Sequence, residues 1–154
     1  MCSISSAKDL NPPVTFHWKS QDNTIDIIIT EENFTKENHT YLKQNGNPVS
    51  QIDGMRPWGT EGVLPTRELT KFQLTWDGKK MTIPKNLWAD CFNLNLFPYS
   101  EPEFPEPGNY PFVKLTEDRQ YIIFTFHGAD ASFAYAVTWI LAKDGTHSRW
   151  ISGA

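Results

Sequence analysis

The chain has 154 residues, 39% of them apolar and 14% aromatic, with 14 basic against 18 acidic side chains for a net charge of −4. That length suits one domain around one core, and ten Phe, six Trp and five Tyr exclude disorder. No run approaches the ~18 to 20 apolar residues of a membrane span. No basic cluster marks a nucleic-acid surface, and two cysteines are too few for a disulfide scaffold.

Residues 1–13 are small and polar and close on Asn11-Pro12-Pro13, a flexible lead-in to a single β-rich domain over residues 14–154. The start turns polar at once after Met1-Cys2, without the apolar stretch of a signal peptide. It reads as cytoplasmic if Met1 is native, and as periplasmic or lipid-anchored if Cys2 follows a removed signal peptide. Val14 to Trp18 and Thr24 to Thr30 are rich in β-branched and aromatic residues around the turn Ser20-Gln21-Asp22-Asn23. They predict a hairpin with Ile27 and Ile29 toward the core and Asp26 at a solvated strand end.

Short strands are expected at Tyr41 to Lys43 and Val49 to Ile52, then a long loop punctuated by Gly and Pro. Glu68 to Trp76 alternates so that Phe72, Leu74 and Trp76 share a buried face. Asp77-Gly78 is a hairpin turn, with Lys80 to Ile83 returning. Pro84 suits the first position of a short helix over Lys85 to Phe92, with Leu87, Trp88 and Cys91 on one side. Four prolines between Pro98 and Gly108 describe an extended surface connection.

Strands follow at Tyr110 to Leu115, Gln120 to His127, Ser132 to Ala142 and His147 to Ile151, as a meander. In the third, Phe133, Tyr135, Val137, Trp139 and Leu141 share one face; Ala134, Ala136, Thr138 and Ile140 share the other, whose small residues allow a further layer to approach. The fold class is mostly β: an antiparallel sandwich or partly closed barrel of about seven to nine strands with one short helix.

His17, His39, His127 and His147 are single and well separated, and no His-x-x-x-His or Cys-x-x-Cys pair occurs, so neither a metal nor another cofactor is expected. The histidines read as surface or strand-end groups, with His127 and His147 the pair that the meander brings closest. Cys91, beside Trp88 and Phe92, reads as a buried, inert thiol. Neither a Gly-x-Ser-x-Gly elbow nor a phosphate loop is present, and Glu117 and Asp130 are turn residues.

The loop Arg56-Pro57-Trp58-Gly59-Thr60-Glu61-Gly62 is the candidate partner-binding site, with Arg56, Trp58 and Glu61 as its contact residues. The competing expectation is that Trp58 folds back over the open end of the sheet. Glu101, Glu103 and Glu106 around Phe104 form a second candidate surface, for a basic partner. Asn33-Phe34-Thr35 and Asn38-His39-Thr40 fit the N-glycosylation pattern, which matters only in a secreted eukaryotic chain.

These features favour a non-enzymatic protein-binding domain, an inhibitor or immunity-type protein whose partner is basic by charge complementarity, with no nucleic-acid partner and no integral membrane segment. The alternative is a barrel-like pocket protein that holds a small apolar ligand in a cavity lined by Phe124, Phe126 and Trp139.

Overall fold

The computed structural model describes residues 12–43, 49–60, 62–96, 112–129 and 133–153. The ten strands in these residues are β1 (Val14–Lys19), β2 (Ile25–Asn33), β3 (Tyr41–Lys43), β4 (Val49–Ile52), β5 (Arg67–Trp76), β6 (Lys79–Thr82), β7 (Phe112–Leu115), β8 (Tyr121–Gly128), β9 (Tyr135–Ala142) and β10 (Ser148–Gly153). One antiparallel sheet has the order β1-β2-β5-β6, the second is the meander β10-β9-β8-β7, and β3 pairs with β4 apart from both. Neither sheet closes on itself, so the fold is a β-sandwich rather than a barrel, with one strand more than the upper expectation. No helix of the described residues is long and apolar enough to cross a membrane. The lead-in up to Asn11 and the proline-rich connection with Glu101, Glu103, Phe104 and Glu106 lie outside the described residues.

Period-two alternation sets which side chains enter the sandwich. Ile25, Ile27 and Ile29 of β2 and Leu74 of β5 point inward and are fully buried. From the other sheet come Phe124, Phe126, Val137 and Trp139, equally buried. Phe16, Phe72, Phe124, Phe126 and Trp139 pack ring on ring, with Phe72 and Trp139 edge to face at 5.1 Å and Phe16 and Phe126 likewise at 4.9 Å. Truncating a ring of this kind costs about 3 to 5 kcal/mol. Phe124, Phe126 and Trp139, the rings that the alternative reading places around a cavity, lie against one another, with centroids 5.3 to 6.1 Å apart. The polar handles of these rings are satisfied too: Trp139 Nε1 donates to the Leu87 carbonyl at 2.6 Å, and Trp88 Nε1 to that of Ile83 at 3.1 Å.

Two expectations need correction. The face of β9 carrying Ala136, Thr138 and Ile140 does not receive a further layer among the described residues; the first sheet packs on its opposite, aromatic face, where burial of bulky rings gains most. The helix expected over Lys85 to Phe92 is a single 3-10 turn, Lys85–Leu87. Trp88 leaves helical geometry at φ −146°, and the chain beyond it is claimed by neighbours. Trp58 bridges to Cys91, Glu68 to Phe92, and Leu94 to Gly128. This segment links the first sheet, the Trp58 loop and the second sheet, and those non-local backbone hydrogen bonds outweigh a short helix's weak propensity.

Candidate functional site

The predicted site residues have unequal positions. Arg56 is exposed, with its guanidinium 5.2 Å from the centre of the Trp58 ring. Trp58 is half-buried against the core and lies 6.1 Å from the Tyr135 ring, while its backbone exchanges hydrogen bonds with Asp90 and Phe92. The loop thus folds Trp58 back over the sheet end and leaves one edge of the ring in a cleft. Glu61 lies outside the described residues, as does Asp130.

Three polar clusters stand elsewhere, none of them legible from spacing. His39, stacked on Phe34, is held between Asp53 Oδ2 at 2.5 Å from Nδ1 and Glu68 Oε2 at 2.9 Å from Nε2. Burial pulls its pKa down, but the hydrogen bonds and charges of Asp53 and Glu68 more than offset this and leave it raised. Both ring nitrogens face carboxylate oxygens, so a substrate would have to compete with Asp53 and Glu68 for either of them. A cavity of ≈570 Å³ adjoins this cluster, lined in part by Met55, Thr70, Lys85 and Trp88.

Arg149 forms a bidentate pair with the buried Asp90, beside Cys91. Burial pushes the Cys91 thiol far up, and the negative charge of Asp90 adds to it, so the thiol is inert at neutral pH. Glu31 is buried at the end of β2; its Oε1 lies 3.4 Å from Arg67 Nε, and its Oε2 has no hydrogen-bond partner. His127 and His147 do not meet. His127 sits opposite Ala136 and His147 accepts from the Ala142 amide, at opposite ends of β9 and about 20 Å apart along it. Among the described residues no group of three or more His, Cys, Asp or Glu is placed to hold a metal ion.

The outer faces of the two sheets differ sharply. That of the first sheet mixes signs, with Lys19, Asp26, Lys71 and Lys80 among threonines. Strands β7 to β10 carry no Asp or Glu, and their only permanent charges are Lys114, which faces out, and Arg149, which faces in to Asp90. Across them runs one row set by the register: Phe112 opposite Thr125, Thr125 opposite Thr138, and Thr138 opposite Trp150. The two threonine hydroxyls lie 2.8 Å apart, and Trp150 is 71% exposed. Lys114, Ile123, Ile140 and Ser148 make the next row, and His127, Ala136 and Ser152 the row on the other side.

This face is continuous with the Trp58 loop. A cleft of ≈200 Å³ bordered by His127, Ala136 and Ser152 shares Ala134, Tyr135 and Gly153 with a cleft of ≈160 Å³ bordered by Arg56, Trp58 and Phe133. The structure therefore brings two of the predicted residues to one end of a longer strip. Sequence reasoning missed the row that Trp150 makes with Thr138 and Thr125. The signal available was the absence of acidic residues from the last four strands of an acidic chain.

A β-sandwich with one outer face that, among the described residues, no further layer covers and whose strands hold no carboxylate is the class that fold and surface define. No family profile and no solved structure matches the chain. Among curated proteins it is 22% identical over 137 residues to the heparin-sulfate lyase of Pedobacter heparinus, a match covering 87% of this chain and 19% of the lyase. The chain thus spans roughly a fifth of the length of the curated relative it matches.

Proposed function

We propose that the chain is a non-enzymatic binding domain that engages its partner along the strip from Arg56 and Trp58 over the outer face of β7 to β10. The observation that carries this reading is the exposure of Trp150 on the edge strand of a contiguous face of aromatic, aliphatic and hydroxyl side chains. Support also comes from the chemistry of the titratable groups: both nitrogens of His39 are committed to carboxylates, and the Cys91 thiol is inert. An inhibitor or immunity-type protein is one form of the same reading. Composition favours a protein partner, and the net charge a basic one; that negative charge lies outside β7 to β10, so a basic protein would meet this face through its apolar residues. The similarity to a heparin-sulfate lyase supports a setting beside glycan chemistry, and a chain matching a fifth of that enzyme is read as carrying binding rather than its reaction.

The test compares what the wild-type chain and Trp150→Asp retain from a native extract, with thermal unfolding of both as the control. Loss of a retained macromolecule at unchanged Tm supports the reading. Equal retention by the two chains removes this face from consideration.

A further inference from the structure

Resting on the reading of this face as a binding surface, and replacing the basic protein that net charge alone favours, we infer that the partner of this face is an acidic glycan, bound across the row Phe112, Thr125, Thr138, Trp150. A pyranose ring presents apolar C–H faces and a rim of hydroxyls, so its binding surface needs a flat exposed ring for stacking and short hydroxyl side chains beside it. The row supplies both. The exposed indole of Trp150 stands on the edge strand, the Thr125 and Thr138 hydroxyls occupy the centre, and Ser148 and Ser152 flank Trp150 on its own strand. Four strands about 4.8 Å apart make the row about 14 Å long between the Phe112 and Trp150 backbones, a length that suits a short oligosaccharide.

The sign of the ligand follows from charge. In a chain of net charge −4, the four strands of this face hold no carboxylate, and the cations that flank the row, Lys114 on β7 and Arg56 beyond the His127 end, stand on opposite sides of it. A uronate- or sulfate-bearing glycan on this row has a cation on either side of it and no like charge from the strands beneath it. Protein docking fits less well, because the middle of the row is a pair of hydroxyls rather than the apolar anchor on which interface cores are built.

Calorimetric titration of the intact chain with three size-matched oligosaccharides tests this: hyaluronan (uronate only), heparin (uronate and sulfate) and cello-oligosaccharides (neutral). The expected result is binding of one or both acidic glycans that weakens with added salt, with no binding of the neutral one. Binding of both acidic glycans assigns recognition to the carboxylate, and binding of heparin alone assigns it to sulfate. Trp150→Ala should weaken binding by about tenfold or more at unchanged Tm, and Lys114→Met and Arg56→Met should each weaken it and flatten its salt dependence. Equal affinity for the neutral glycan overturns the acidic assignment, and an unaffected Trp150→Ala overturns the site. If no glycan binds while the wild-type chain, but not Trp150→Asp, retains a protein, the glycan falls and the binding face stands; if neither is retained, both fall.

Discussion

The ring of Tyr135 occupies the space that a side chain on Gly59 would need: a β-carbon there would lie 2.6 Å from Tyr135 Cε1 and 2.4 Å from the Phe92 carbonyl oxygen. Gly59 also has φ +83°, a left-handed backbone that L side chains rarely adopt. Tyr135 in turn donates to that Phe92 carbonyl at 2.7 Å, so the glycine, the ring and the bridging segment lock the Trp58 loop onto the sandwich. Gly59→Ala should therefore cost about 2 kcal/mol or more in urea unfolding. Gly54→Ala, at φ +80° with nothing near the added carbon, should cost only about 1 kcal/mol. Equal losses at the two sites would mean that Tyr135 yields and the lock does not exist.

Glu31 should make stability fall as pH rises toward neutrality. Burial raises its carboxyl to about 7, against the downward pull of the Arg67 charge, of its hydrogen bond and of the nearby Leu94 amide. Because the folded-state value lies above the ordinary 4.5, the folded chain holds a proton that the unfolded chain has lost, and stability is full below about pH 4.5 and falls until about pH 7. Glu31→Gln keeps an acceptor for Arg67 and removes the charge. Its stability relative to wild type should rise over that window by about 3 kcal/mol at most and level off above it. A difference that stays constant between pH 4 and about pH 8 would show that the carboxylate is not held protonated.

The His39 clamp has the opposite pH signature at its acid end. The raised pKa of His39 contributes stability that is present below about 6.5 and lost as pH climbs through its folded value. For Asp53, burial acts upward, but the His39 hydrogen bond and the Thr40 amide hold the carboxyl below its ordinary 3.8. Its contribution is present above that pH and lost as pH falls through the lowered value. Chemical denaturation of His39→Gln against wild type should thus show the largest deficit between about pH 4.5 and 6.5, narrowing toward pH 9. A deficit independent of pH would reduce His39 to a packing residue on Phe34.

Sequence by itself determined the strands, because their signals are local. Ile25, Ile27 and Ile29 alternate with Asp26 and Ile28 whatever lies opposite them, and Asp77-Gly78 closes its hairpin with both residues at positive φ, as that short turn requires. The same alternation separated Trp139 from Thr138 on the two faces of β9, and the flanking rings marked Cys91 as buried. Tertiary structure alone decided which face met the other sheet and what stood beside what. The 85–92 segment reads as helical until Trp58, Glu68 and Arg149 claim its backbone and Asp90. His39, Asp53 and Glu68 come from three separate stretches of chain, and the row from Phe112 to Trp150 draws one residue from each of four strands. Such groupings depend on register, which a one-residue slip between strands would rewrite without changing any local pattern.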